Sequence, residues 1–98
     1  MIWRVRLHKL VLLEDLKVLS AVEQQVILKA VNKKLALDPE AYGKPLTGEF
    51  KRYWRLRVSD CRVVCRFDKG EVIVFVVKIG IRKDDQGYRE LPGRLRKI

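Results

Sequence analysis

The sequence predicts an α+β fold in the order β-α-α-β-β-β, a curved, mainly antiparallel sheet with a two-helix hairpin packed on one face. Three observations predict it. Residues 2–37 hold one alternating segment followed by apolar residues at helical spacing. Residues 50–79 hold three consecutive strand-like segments separated by turn residues. The last of these, EVIVFVVKI (Glu71–Ile79), is apolar on both faces, which places it at the centre of a sheet.

IWRVRL (Ile2–Leu7) alternates apolar and basic residues, the pattern of a half-exposed strand. In HKLVLLEDLKVLS, apolar residues at 10, 13, 16 and 19 predict a first helix over Lys9–Leu19. Ser20 and Glu23 form a capping box, each side chain satisfying the other's backbone N–H. A second helix over Ala21–Leu37 follows, with Val22, Val26, Ile27, Ala30, Val31 and Leu35 as its apolar positions. Pro39 ends it, because proline disfavours helical geometry at the residue before it. Asp38–Glu49, with two prolines and two glycines, predicts a loop.

FKRYWRLRV (Phe50–Val58) predicts a strand with Phe50, Arg52, Trp54, Leu56 and Val58 on one face and Lys51, Tyr53, Arg55 and Arg57 on the other. Ser59-Asp60 turns the chain. CRVVCRF (Cys61–Phe67) then sets Cys61, Val63, Cys65 and Phe67 opposite Arg62 and Arg66. Asp68-Lys69-Gly70 is the predicted hairpin turn, with Gly70 available for positive φ. The helices are expected to cover the face bearing Trp54, Leu56 and Val63, leaving Arg55, Arg57, Arg62 and Arg66 to solvent on the other. Trp3 and His8 read as structural. The tail RELPGRLRKI reads as a solvated end or a mobile flap, its helix interrupted at Pro92-Gly93.

Ninety-eight residues predict one domain, 1–98. The net charge of +10 points to a polyanionic partner. Residues 1–49 hold 8 Lys/Arg against 6 Asp/Glu, and residues 50–98 hold 14 against 6, so the second half builds the cationic surface. The N-terminus lacks the apolar core of a signal peptide, and the longest apolar run, Val72–Val77, falls short of the roughly 20 residues that span a bilayer, so no membrane association is expected. Cys61 and Cys65, four residues apart on one strand, stand about 13 Å apart, beyond the roughly 7 Å a disulfide permits. With His8 as the only histidine, neither a metal site nor a cofactor is expected.

The segment KPLTGEFKRYWRLRVSDCRVVCRFDKGEVIVFVVKIGIRKD, and the chain on to Tyr88, resembles the RelE/ParE superfamily of bacterial toxins from type II toxin–antitoxin systems. The family shows a PL-x-G loop, then WRLRVGDYRVVYR, then VxVVKVGHRKDVY. The resemblance implies a cytoplasmic toxin held inactive by a cognate antitoxin whose flexible segment wraps it. RelE-like members are mRNA endonucleases that cut mostly in the ribosomal A site, whereas ParE-like members share the fold and poison DNA gyrase. The Arg of CR (Arg62), the Arg of IGIR (Arg82) and Tyr88, six residues beyond, resemble the RelE-like set. This implies a metal-independent, ribosome-dependent mRNA interferase whose contact with DNA is only indirect, through the antitoxin complex. The alternatives are a ParE-like gyrase inhibitor, or a catalytically weak homologue acting mainly in antitoxin-bound autorepression. The chain departs from the family at Ile81, where His is usual, at Cys61 and Cys65, where Tyr is usual, and at Tyr53, where RelE has Lys.

Metal-free RNA cleavage uses the ribose 2′-OH as nucleophile and needs a base, stabilisation of the phosphorane and an acid. A guanidinium fork suits phosphate oxygens. The expected catalytic set is therefore Arg62 and Arg82 clamping the phosphate, with Tyr88 as base and Arg82 as the candidate acid. Lys51, Arg52, Arg55, Arg57, Arg66 and Lys83 are expected to bind the RNA backbone, and Tyr53 to stack on a base.

Overall fold

The computed structural model describes residues 3–58, 61–81 and 86–97. The chain forms β1 (Arg4–Leu7), a π turn (Val11–Asp15) running into a 3-10 turn (Leu16–Val18), α1 (Ala21–Leu37), the short α2 (Pro39–Tyr42), β2 (Lys44–Pro45), a 3-10 turn (Gly48–Phe50), β3 (Trp54–Val58), β4 (Cys61–Asp68), β5 (Ile73–Ile81) and α3 (Gln86–Arg96). The sheet order is β1-β5-β4-β3-β2. β1 runs parallel to β5 and the other pairs are antiparallel. The predicted α+β class, with a mainly antiparallel sheet and β5 inside it, is what the chain adopts, but helices lie on both faces rather than as a two-helix hairpin on one. No described helix is long and apolar enough to cross a membrane.

The predicted first helix is irregular. The backbone N–H of Leu16 donates to the carbonyl of Val11, closing the π turn, and Leu19 is already extended. His8 Nδ1 accepts the Leu10 N–H at 3.1 Å, a structural role. Gln24 Nε2 donates to the carbonyls of Leu16 (2.7 Å) and Leu19 (3.1 Å), satisfying the end of the turn. The turn buries Val11, Asp15 and Leu16 and leaves Leu12 and Leu13 exposed.

α1 begins at the capping box, where Ser20 N–H donates to Glu23 Oε1 and Glu23 N–H to Ser20 Oγ. Its buried stripe is Ile27, Val31 and Leu35, whereas Val22 and Val26 are exposed. That stripe joins the core formed with Leu56, Val58, Val63, Cys65, Val74, Val76 and Ile79. Phe67 lies between Trp3 and Trp54, with ring centroids 5.8 and 5.0 Å away. Cys61 and Cys65 are buried thiols on one strand, and burial pushes the Cys65 thiol up to about 12.

Four predictions are corrected. Asp38 ends α1, but the expected loop contains α2, β2 and a 3-10 turn; Asp38 Oδ1 accepts the Ala41 N–H and so starts α2. The third strand starts at Trp54, because Tyr53 N–H bonds the Phe50 carbonyl and Lys51 and Arg52 form a turn. The left-handed residue after the β4 hairpin is Val72 (φ 58°), not Gly70. There Asp68 Oδ1 accepts the Glu71 N–H, and the Val72 carbonyl accepts the Arg4 N–H that opens the β1 ladder. Finally, the tail forms α3, with Pro92 inside the helix. The proline penalty is offset by what α3 buries. Leu91 is fully enclosed with Val64 and Val77, and Leu46, Phe50, Tyr53, Phe75 and Leu95 pack around them. The face expected to be open is therefore covered along its middle.

A bulge makes that second cluster fit. Val64 faces Lys78 while Cys65 faces Val76, so Val77 is an extra residue in β5. Lys78 consequently lies beside Val64, on the side of the sheet that α3 covers.

Candidate functional site

Arg57 of β3, Arg62 of β4 and Gly80 of β5 are successive register partners. Partners on adjacent strands, about 4.8 Å apart, project to the same face. Two arginines are thus set side by side next to a residue without a side chain. Two guanidinium groups at this spacing suit an anion with several oxygens, such as a phosphate. Arg57 is exposed and Arg62 half-buried, with its Nε enclosed.

The next row on this face is Lys44, Arg55, Val64 and Lys78. Lys44 is exposed and Arg55 half-buried, which extends the cationic edge to a third and fourth side chain. Sequence reasoning missed Lys44, because a two-residue strand is too short to show a period. Its place beside Arg55 comes only from the pairing of β2 with β3.

The other predicted residues distribute unevenly. Lys51 and Arg52 are exposed in the turn before β3, off the strand register. Tyr53 is half-buried and packs against the α3 cluster. Arg66 is exposed at the far end of the face, its guanidinium 5.5 Å from the Phe75 ring centroid. Arg82, Lys83 and the Ser59-Asp60 turn lie outside the described residues. Tyr88 belongs to α3 by its backbone, one turn before Leu91, while its side chain lies outside the description. Of the expected catalytic trio, Arg62 is the one whose side chain is described.

α3 is held by a buried ion pair that the sequence reading did not foresee. Arg94, read there as part of a basic tail, is buried. Its Nη1 and Nη2 donate to Asp15 Oδ2 and Oδ1, both at 2.8 Å, a forked pair. Nη1 also donates to the Val77 carbonyl (3.1 Å) and Nη2 to Glu14 Oε2 (3.1 Å). Asp15 Oδ2 accepts the Ile79 N–H at 2.8 Å, and Lys78 Nζ stands 3.6 Å from Oδ1. β1 ends at Leu7, opposite Val76, so Asp15 and Arg94 take over the β5 edge where the ladder stops. Hydrogen bonds to Asp15, reinforced by the charges of Asp15 and Glu14, hold the Arg94 proton more firmly than usual, against the effect of burial. Seventy-nine residues separate the partners, and no local pattern in the sequence signals the contact.

No curated protein matches the sequence. Residues 5–86 match a family described as ParE toxin of type II toxin-antitoxin system, parDE. Among solved structures, the chain is similar to the RelBE2 toxin–antitoxin complex from Mycobacterium tuberculosis, with a TM-score of 0.79 and 23% identity over 86% of this chain and 95% of that one. A mutant of the E. coli toxin RelE in the free state gives a TM-score of 0.70 and 20% identity over 97% and 99% of the two chains. The archaeal RelE–RelB complex from Pyrococcus horikoshii gives 0.64 and 23% over 86% and 99%. At these identities the structural likeness speaks for the fold, and the match over residues 5–86 carries the assignment: the chain belongs to the RelE/ParE superfamily of toxins of type II toxin–antitoxin systems.

Proposed function

We propose that this toxin is an endoribonuclease that cleaves mRNA at the ribosome and is neutralised by a cognate antitoxin. The observation that carries the reading is the cross-strand pair Arg57–Arg62, continued by Arg55 and Lys44. A row of cationic side chains at strand spacing matches the repeating charge of a phosphate chain. In this reading the Arg62 fork holds the scissile phosphate and stabilises the charge that builds on it as the 2′-OH attacks. Arg57, Arg55 and Lys44 hold flanking phosphates and set the in-line geometry. Arg82 and Tyr88 are assigned the proton transfers, as the family resemblance implies. The antitoxin assignment draws on the toxin–antitoxin complexes among the similar structures.

Primer extension on translating mRNA tests this. Wild type is expected to produce discrete cuts, and Arg62→Ala to reduce them about 10²–10³-fold, the usual loss of one charge-stabilising donor. Arg62→Lys, which keeps the charge but loses the fork, should restore only a fraction. The second reading, gyrase inhibition, is favoured by the family to which residues 5–86 match. Inhibition of supercoiling by wild type, with no cut in mRNA, would decide for it.

A further inference from the structure

The second face carries another pair of arginines at the end opposite Arg57 and Arg62. Phe75 of β5 is the register partner of both Arg6 of β1 and Arg66 of β4. The two arginines therefore flank one ring, about 10 Å apart across two strand spacings. Both are exposed, and Arg4, two residues along β1, is exposed on the same face. The Arg66 guanidinium rests over the Phe75 ring. Leu95 of α3 packs into the cluster that Phe75 joins, and the next two residues, Arg96 and Lys97, are exposed.

Arg4, Arg6 and Arg66 form no ion pair among the described residues. The neighbouring carboxylates are Asp68, which shares the Arg4–Ile73 row and whose Oδ1 accepts the Glu71 N–H, and Glu71 itself, exposed in the hairpin. Four residues of β4, about 13 Å, separate Arg66 from Arg62, and Leu91 packs on Val64 between them. The two arginine pairs are thus separate.

We propose that Arg6 and Arg66 form a second phosphate-binding site, which holds the backbone of an RNA at a point remote from the Arg57–Arg62 row. The ring contact narrows the conformations of Arg66 before binding, so less freedom is lost when a phosphate arrives. The side chain is exposed, and its planar fork suits bidentate contact with a phosphate. That RNA is the occupant rests on the reading of the first site as RNA-binding.

The test separates the two sites and removes chemistry from the measurement. The probe is a fluorescent single-stranded RNA with every 2′-OH methylated, which cannot be cleaved by 2′-OH attack, and affinity is followed against salt. Arg6→Ala/Arg66→Ala should weaken binding about tenfold and flatten the log–log salt dependence by up to about 1.4, since each single-strand phosphate contact contributes roughly 0.7. Arg6→Lys/Arg66→Lys should keep the slope and lose part of the affinity. Because Arg6 and Arg66 are both exposed, the denaturation midpoints of these two variants should match wild type. An unchanged slope and affinity in Arg6→Ala/Arg66→Ala overturns the site, even if Arg57→Ala/Arg62→Ala weakens binding. A flattened slope supports it even where wild type cuts no mRNA, in which case the nuclease reading alone falls. Loss of polyglutamate binding with RNA binding intact assigns these arginines to an acidic protein and overturns the proposal.

Discussion

On one face of the sheet, α1 lays Ile27, Val31 and Leu35 onto Leu56, Val63, Val74 and Val76; on the other, α3 buries Leu91 against Val64 and Val77 and is tied down by Arg94 on Asp15. The first closure is apolar and non-directional, so many contacts share the load. The second joins a small apolar cluster to a forked ion pair whose geometry sets where the helix lies. Such a pair stabilises only while every partner is present, because one missing member leaves a buried charge. The face that carries the candidate site is also the one whose covering depends on a few directional bonds.

The largest expected effect comes from breaking the pair. Arg94→Ala or Asp15→Ala should cost about 3–5 kcal/mol in urea denaturation. A loss below about 1 kcal/mol would mean that α3 is held by Leu91 alone and the contrast between the faces disappears. Leu35→Ala should cost about 2–5 kcal/mol and lower hydrogen-exchange protection throughout the sheet. Leu91→Ala should instead expose α3 to exchange while α1 stays protected. Equal loss in both helices would show the two faces to be one cooperative unit.

Cys65 probes the dryness of the α1-side core. Its folded value is raised from 9.0 to about 12, so the folded chain keeps a proton that the unfolded chain releases. Its stabilising contribution is therefore complete below about pH 9 and fades as pH rises toward 12, by up to about 1.4 kcal/mol per pH unit. Denaturation of Cys65→Ala across this range should lack that component, whereas a wild-type slope in the variant would show that solvent reaches the core. Ser20→Ala should cost about 1 kcal/mol by thermal melting, because α1 closes its own N-terminus within four residues. The smallest effect should be a gain. Val72→Gly relieves a left-handed β-branched residue at the start of the strand both faces share, and should raise stability by roughly 0.5 kcal/mol after the glycine entropy cost.

Much of the scaffold was legible because it is written in neighbouring residues. The alternation in Arg4–Leu7, Trp54–Val58 and Cys61–Phe67, the doubly apolar Ile73–Ile79 run, the Ser20–Glu23 box and the stop at Asp38 each need only a few positions in a row. The arginine faces of β3 and β4 follow from the same alternation, which places Arg55, Arg57 and Arg62 on one face of the sheet. α3 was misread because Pro92-Gly93 looks like a break when only local cost is counted.

The sequence by itself determined β1, α1 and the three consecutive strands β3, β4 and β5, the cationic second half and the family. The tertiary structure decided that α3 covers the second face, that Asp15 meets Arg94, that Lys44 stands beside Arg55, and that Arg6 and Arg66 share Phe75. Each of these depends on register or contact between segments far apart in the chain. Periodicity and capping record what a residue does with its neighbours; which strand edges and charges meet is settled only when the whole chain packs.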